Sequence, residues 1–214
     1  MFDVVPCWGG LVATVALLPP LDAVSAKSEN TAFERQLLEA EPAGADMSLG
    51  ATKAEVTLIE YGSVTSSSCA EFHKNVLPVI QHKYIDTGLV RYVFREYPTD
   101  QTALMVSMLM RCVPETKYFS TLDMLFQRQS LWKGGNIKSE LLKIMRSTGM
   151  SENGFIACLR RKELAHAIHE TRRKARDEFG VVDAPTFFVN GRKVDDHNDV
   201  TAVLSAIEAA LKPN

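Results

Sequence analysis

The feature that most constrains the fold of this 214-residue chain is a strand-helix-strand pattern over residues 56–97. Residues 56–61 are rich in β-branched and aromatic types and predict a buried strand, and residues 89–97 predict a second one. A helix is predicted between them, from about residue 69 to 83, with Pro78 marking a kink or break inside it. This order favours two parallel strands joined by a right-handed crossover.

The next part of the chain carries helical periodicity and no strand pattern. Pro114, Gly134-Gly135 and Gly149 mark the breaks, and Ser151 is placed to cap one of the helices. The pattern predicts helices over residues 103–111, 118–131, 137–146, 151–159 and 162–179.

Strand character returns only near the end of the chain. Residues 186–189 predict a strand, Asn190-Gly191 is a strong signal for a hairpin turn, and residues 192–194 predict the returning strand. An amphipathic helix over residues 200–211 completes the pattern.

This order of elements predicts an α/β protein with a thioredoxin fold that is split by an inserted helical domain. The amphipathic stretch over residues 33–38 and the loop-like residues after it are interpreted as a leader onto the domain. The predicted boundaries are 27–49 for the leader, 50–97 and 177–214 for the thioredoxin-like domain, and 98–176 for the insertion.

The first 26 residues have the pattern of an export signal. An apolar run over residues 8–18 is followed by Pro19-Pro20 and then by Val24-Ser25-Ala26, where cleavage after Ala26 is expected. Eleven apolar residues are too few for a membrane anchor. The mature protein is therefore expected to be periplasmic, without a membrane anchor and without Cys7.

The net charge and the number of cysteines each restrict the functions that the chain can have. The formal net charge of the chain is -2, which gives no electrostatic argument for binding nucleic acid or an anionic membrane. Cys69, Cys112 and Cys158 would remain after export into an oxidising compartment, where thiols tend to pair. Because three is an odd number, one cysteine must stay free or react with something outside the chain.

A thioredoxin-type redox site carries C-x-x-C at the start of a helix, where backbone N–H groups and the helix dipole stabilise a thiolate. Residues 66–69 read Ser-Ser-Ser-Cys, so only the second cysteine is present. Together with Glu-Tyr-Gly-Ser-Val-Thr at 60–65 and Ala-Glu-Phe-His-Lys-Asn-Val-Leu-Pro at 70–78, this segment resembles the active-site region of DsbA-like thiol-disulfide oxidoreductases of alphaproteobacteria. Residues 182–191, Val-Asp-Ala-Pro-Thr-Phe-Phe-Val-Asn-Gly, resemble the cis-proline loop of that family and the hairpin after it. The likeness covers about residues 50–212.

The resemblance implies a role for several residues. It places Ser66 where the family has its nucleophilic cysteine, Cys69 at the resolving position and Glu60 where many members hold a buried acid that assists proton transfer. It assigns substrate binding to Ala184, Pro185 and Thr186, with a cis bond before Pro185, and a structural disulfide to Cys112 and Cys158, which would leave Cys69 free.

Some of these residues have a plainer interpretation. An isolated, shielded Cys69 is more often inert packing than an independent reactive group. Glu60 could equally lie on the open side of its strand, and His73 is interpreted as a polar surface residue. His166 and His169 share a helix face that is expected to be solvated, so neither a metal nor another cofactor is predicted.

Three functions stay open. The first is an exported DsbA-like protein, concerned with disulfide formation in secreted proteins but impaired because a serine cannot form a mixed disulfide. Its partners would be unfolded or cysteine-containing exported polypeptides, and a membrane redox partner is possible for this class. The second is a non-catalytic peptide-binding or chaperone-like module. The third is a kappa-like glutathione transferase that uses Ser66 to hold the glutathione thiolate.

Overall fold

The computed structural model describes residues 31–40, 44–195 and 200–212. The export signal expected at residues 1–26, and Cys7 within it, lie outside these ranges. The described chain contains a five-stranded sheet in the order β1-β3-β2-β4-β5. Its strands are β1 (Met47–Leu49), β2 (Val56–Gly62), β3 (Val90–Glu96), β4 (Thr186–Val189) and β5 (Arg192–Lys193).

The sheet is mixed. β2 and β3 are parallel, as the strand-helix-strand pattern predicts, and every other pair of neighbours is antiparallel. The helices are α1 (31–39), α2 (Ser67–Asn75), α3 (Leu77–Ile80), α4 (Gln101–Met110), α5 (Tyr118–Gln127), α6 (Gln129–Gly134), α7 (Ile137–Ser147), α8 (Glu152–Leu159), α9 (Lys162–Phe179) and α10 (Val200–Ala210).

The single helix predicted over residues 69–83 is divided in the structure. It starts earlier, at Ser67, breaks at Val76, and continues as α3 and a π-helical turn, Gln81–Ile85. Pro78 lies in the first turn of α3, where its missing N–H group is tolerated. The break expected from Pro78 is thus confirmed, two residues before the proline.

The helical block from α4 to α9 follows the predicted breaks with one exception. The helix expected over residues 118–131 is two helices, α5 and α6, which meet at Arg128. No Gly or Pro stands at this junction, so the sequence carries no local signal for it. Ser151 caps α8 as predicted, because its side chain accepts a hydrogen bond from the backbone N–H of Gly154.

Each face of the sheet is covered by a separate apolar cluster. Along β2, Leu58 belongs to a large cluster with α2, α4, α5 and the helices after them. Ile59 and Tyr61 point the other way, into a smaller cluster with Leu37 of α1 and Phe179 of α9. Because side chains alternate along a strand, Glu60 shares the face of Leu58 and lies toward α2.

Residues expected to be a leader contribute an edge strand and a docked helix. β1 pairs with β3, and the guanidinium of Arg95, 1% exposed, donates to Asp46 and to the carbonyl oxygen of Leu37 in α1. At the hairpin turn, a Cβ on Gly191 would lie 2.6 Å from the Cα of Glu34. The predicted Asn190-Gly191 turn therefore also needs a glycine for the close approach of α1.

The helical insertion is linked to the sheet by an ion pair and is cross-linked internally by a disulfide. Arg111, at the end of α4, makes a buried ion pair with Glu96 at the end of β3, and Tyr118 donates to the same carboxylate at 2.8 Å. Cys112 and Cys158 form a disulfide between the end of α4 and α8. Among the described residues, no helix combines the length and hydrophobicity that crossing a bilayer requires.

Candidate functional site

The candidate site lies where β2 ends and α2 begins, and Ser66 is its central residue. Ser66 has extended backbone geometry and caps α2: its Oγ accepts a hydrogen bond from the backbone N–H of Cys69 at 3.3 Å. The same hydroxyl donates to the carbonyl oxygen of Ala184, 2.9 Å away. The side chain at the predicted nucleophile position therefore joins the start of α2 to the loop before β4.

That loop contains the other residues predicted for substrate binding. The bond between Ala184 and Pro185 is cis. Ala184 is half-buried beside Ser66, whereas Pro185 and Thr186 are buried, and the hydroxyl of Thr186 donates to the carbonyl oxygen of Asp183 at 2.9 Å. Among these residues, the backbone of Ala184 is the part that directly meets the Ser66 side chain.

Two residues of the insertion hold the site loop, and sequence analysis did not identify them. The side-chain amide of Gln129 donates to the carbonyl oxygens of Val64 and Ser66, at 2.9 and 2.8 Å, and Lys133 donates to that of Thr65 at 2.7 Å. Both lie on α6, four residues apart, which places them on one helix face. That spacing is the only signal in the sequence that could have indicated them.

Cys69 is a shielded thiol. It is fully buried, it is free, and its sulfur accepts a weak hydrogen bond from the backbone N–H of Ser63 at 3.4 Å. Burial, and next the charge of Glu60, raise the pKa of the Cys69 thiol well above its ordinary value. Because the thiolate is the reactive form of cysteine, Cys69 is a poor nucleophile at neutral pH.

Glu60 lies inside the protein, which excludes the interpretation as a residue on the open side of its strand. Its side chain is fully buried, and Oε2 accepts hydrogen bonds from the hydroxyl of Tyr92 at 2.6 Å and from Nε2 of His73 at 3.2 Å. The other carboxylate oxygen, Oε1, has no hydrogen-bond partner among the described residues.

The interpretation of His73 as a surface residue was wrong. Its side chain is 1% exposed and its ring lies 4.2 Å from the ring of Phe126. His73 is one turn after Cys69 and points to the same covered face of α2. Burial alone lowers the pKa of His73, but Glu60 and Asp123 together outweigh burial and raise it above the ordinary value.

The two histidines considered as metal ligands do not form a site. His166 and His169 are exposed on α9. Over the described ranges, no three His, Cys, Asp or Glu side chains are grouped so that they could hold a metal ion.

The chain is similar in sequence to one family model and to several known proteins. Residues 42–209 match the family model described as Thioredoxin. A Rickettsia conorii protein, provisionally named a protein-disulfide oxidoreductase, is 28% identical over 190 residues, which cover 88% of this chain and 68% of that protein. A Rickettsia typhi protein with the same kind of name is 29% identical over 169 residues, covering 78% of this chain and 62% of that one. The chain thus spans about two thirds of the length of these relatives.

Two solved structures share the architecture. The crystal structure of Wolbachia pipientis alpha-DsbA1 is 28% identical, has a TM-score of 0.73 and covers 82% of this chain and 94% of that one. A protein-disulfide isomerase from Novosphingobium aromaticivorans is 19% identical with a TM-score of 0.72, and it covers 78% of this chain and 98% of its own. These matches confirm the predicted thioredoxin fold with a helical insertion.

Proposed function

This chain belongs to the thioredoxin family and, within it, to the DsbA-like proteins, and from that premise we propose that it is an exported peptide-binding member with impaired disulfide exchange. The proposal concerns two separate properties, the loss of thiol chemistry at Ser66 and the retention of a peptide-binding surface around Ala184.

The observation that carries the proposal is the place of Ser66. Its hydroxyl occupies the start of α2, where a redox-active member of the fold presents a thiolate, and it is hydrogen-bonded to the backbone of Ala184. Thiol-disulfide exchange requires a sulfur that can attack a disulfide and hold a mixed disulfide. A hydroxyl oxygen can do neither, so Ser66 can contact a bound peptide without becoming covalently joined to it.

Cys69 does not replace the missing nucleophile. Its sulfur is fully buried behind the first turn of α2, and the raised pKa keeps it in the thiol form at neutral pH. A client thiol or disulfide would have to open the site loop before it could meet this sulfur. We therefore expect the folded protein to exchange disulfides slowly or not at all at this site.

The surface around Ser66 supports peptide binding. Val182 is 74% exposed two residues before Ala184, whose backbone meets the hydroxyl of Ser66. An apolar side chain exposed at this place can bury its surface against an apolar residue of a bound peptide. Unfolded or cysteine-containing exported polypeptides, which expose apolar side chains, are the proposed partners.

Hydrogen bonding also bears on the glutathione transferase hypothesis. That activity needs the hydroxyl of Ser66 to donate to a glutathione thiolate, whereas the structure has it donating to Ala184. No observation on the described residues favours that activity over peptide binding, and we do not propose it.

Replacing Ser66 by cysteine tests the loss of thiol chemistry. The parent, Ser66→Cys and the double variant Ser66→Cys/Cys69→Ala are pre-treated with oxidant, and oxidation of a reduced two-cysteine peptide is followed. We expect oxidation by Ser66→Cys alone, because only that variant has two sulfurs at positions 66 and 69. If the parent oxidises the peptide as fast as Ser66→Cys, the proposed impairment is wrong.

Peptide binding is tested separately with a fluorescent, cysteine-free, apolar peptide. We expect the parent to bind it and Val182→Asp to bind it more weakly, while Val79→Asp, which changes a half-exposed valine on α3, is the matched control. Absence of binding to the parent, or equal binding by both variants, would contradict the peptide-binding part of the proposal.

A further inference from the structure

The backbone of the site loop, residues 64–66, is held by a distant part of the chain. Three consecutive carbonyl oxygens of this loop accept hydrogen bonds from two side chains of α6. Gln129 donates to those of Val64 and Ser66, at 2.9 and 2.8 Å, and Lys133 donates to that of Thr65 at 2.7 Å. A short helix at least 63 residues away in the sequence therefore determines where the backbone of Ser66 lies.

Gln129 is enclosed by the protein at this place. Its side chain belongs to a residue that is only 8% exposed, and its amide nitrogen makes both contacts. It supplies the donor that the buried carbonyl oxygen of Val64 needs. The carbonyl oxygen of Ser66 accepts in addition from the backbone N–H of Ala70, in the first turn of α2. The Gln129 amide thus connects the loop before α2 with the carbonyl group that starts the helix.

The direction of α6 makes these contacts possible. α5 ends at Gln127 and α6 starts at Gln129, with the break between them at Arg128. Trp132 of α6 is fully buried, and its indole N–H donates to the carbonyl oxygen of Leu125 in α5 at 2.8 Å. This contact holds α6 against α5, so the donors that reach the site loop stand on a rigid support.

Lys133 does not stabilise α2 by its charge. The helix dipole is positive at the N-terminal end of a helix, so a cation beside that end is unfavourable. The ammonium of Lys133 nevertheless lies there, bonded to the carbonyl oxygen of Thr65, which directly precedes the cap residue Ser66. The contact therefore serves the position of the loop.

The site loop has a second anchor at the start of α4. The hydroxyl of Thr65 donates to the carboxylate of Asp100 at 2.6 Å, and the hydroxyl of Ser63 lies 3.0 Å from that of Thr99. These contacts hold side chains, whereas α6 holds the carbonyl groups and so orients the peptide planes. Without the contacts to α6, we expect the loop to stay attached but to change its orientation.

We propose that Gln129 and Lys133 are positioning residues, which act through the site loop to hold the hydroxyl of Ser66 against the carbonyl oxygen of Ala184. Hydrogen bonds between oxygen atoms are about 2.5 to 3.0 Å long, so a loop shift of roughly half an ångström breaks this one. The helical insertion thereby sets the geometry of the peptide-binding surface. The inference rests on the proposed function in what it says of peptides, whereas the hydrogen bond itself can be measured without one.

The chemical shift of the Ala184 carbonyl carbon reports on its hydrogen bond, and nuclear magnetic resonance of the full chain measures it. Ser66→Ala gives the shift in the absence of the bond. We expect Gln129→Met, which keeps the length of the side chain and removes its donors, to move the shift most of the way from the parent value to the Ser66→Ala value. Lys133→Met should move it part of the way. Lys133→Arg, which keeps the donors, should stay near the parent.

Gln127→Met is the matched control, since it makes the same change at an exposed position two residues before Gln129. The proposal is overturned if Gln129→Met and Lys133→Met both leave the Ala184 shift at the parent value. It is also overturned if Gln127→Met changes the shift as much as Gln129→Met, or if Ser66→Ala does not change it. A packing role of Gln129 would lower the free energy of unfolding without moving this shift. If Gln129→Met does not fold, Lys133→Met and Lys133→Arg decide the question.

Peptide binding separates this inference from the proposed function. Gln129→Met should bind the fluorescent, cysteine-free, apolar peptide about fivefold more weakly than Gln127→Met, the factor that corresponds to one ordinary hydrogen bond. Equal affinities, together with a shifted Ala184 carbonyl carbon, would overturn the effect on peptide binding. If the parent does not bind the peptide, the peptide-binding part of the proposed function is wrong, and the Ala184 shifts still decide whether the two residues position Ser66.

Discussion

The hydroxyl of Ser66 donates a hydrogen bond to the carbonyl oxygen of Ala184, 2.9 Å away, and so connects two segments that lie 118 residues apart in the sequence. The same oxygen accepts from the backbone N–H of Cys69 and caps α2. A side chain that stands at the position of a nucleophile thus makes two structural hydrogen bonds at once. This dual role gives the first prediction.

Ser66→Ala should destabilise the protein by about 1 kcal/mol, because loss of a helix N-cap typically costs that much. Urea denaturation of the parent and the variant measures the difference. Ser68→Ala is the matched control: Ser68 is exposed, follows the cap and should change the free energy of unfolding by less than about 0.5 kcal/mol. Equal midpoints for Ser66→Ala and Ser68→Ala would show that the hydroxyl does not cap α2.

Cys69 should react with iodoacetamide much more slowly in the folded protein than in guanidinium chloride. Its sulfur is fully buried, and burial together with Glu60 raises its pKa, so reaction has to wait for local opening. Ser67→Cys in the same chain provides the comparison, because position 67 is exposed in the first turn of α2 and should be alkylated promptly. Rapid labelling of Cys69 in the folded parent would refute this burial.

Removing the Cys112–Cys158 disulfide should lower the free energy of unfolding by about 4 kcal/mol or somewhat less, as loop closure over 46 residues predicts. The double variant Cys112→Ala/Cys158→Ala is compared with the parent in urea. A reductant should bring the parent close to the variant and leave the variant unchanged. If the reductant does not change the free energy of unfolding of the parent, the disulfide does not stabilise the fold.

The free energy of unfolding should fall with rising pH as His73 loses its proton. Its folded pKa is raised above the unfolded value of about 6.5, so the protonated ring stabilises the fold fully below that pH. The contribution is lost as the pH rises through the folded pKa. The parent should therefore be more stable than His73→Gln at low pH, and this difference in the free energy of unfolding should disappear between about pH 6.5 and the raised pKa. His82→Gln changes an exposed histidine, and its free energy of unfolding should follow that of the parent at every pH. A constant difference between parent and His73→Gln would contradict the ion pair.

Much of the fold follows from local patterns. β2, β3 and β4 were predicted to within one residue at each end, because consecutive apolar and β-branched residues indicate buried strands. The Asn190-Gly191 turn was predicted for a definite physical reason: both residues have positive φ, at 46° and 85°, which Asn and Gly tolerate best. β1, with three residues, is too short to leave a periodic signal.

The site was less accessible to sequence reasoning, because tertiary contacts define it. Gln129 and Lys133 are ordinary polar helix residues until α6 meets the site loop. The burial of His73 depends on α5, whose Phe126 covers the ring. The burial of Glu60 could have been predicted, because a strand that is apolar on both faces has no exposed side for it. No spacing in the sequence brings Asp123, fifty residues on, to the imidazole of His73.

An oxygen at position 66 also changes how the protein responds to its surroundings. In the described chain Cys69 is the free thiol, and the disulfide joins Cys112 and Cys158. The candidate site therefore has no pair of sulfurs that glutathione could oxidise or reduce. Under the proposed function, occupancy of the site depends on how much client is present and how fast it dissociates, and not on the ratio of oxidised to reduced glutathione. Trapping of mixed disulfides would then recover no clients, whereas photochemical cross-linking from position 182 would recover them.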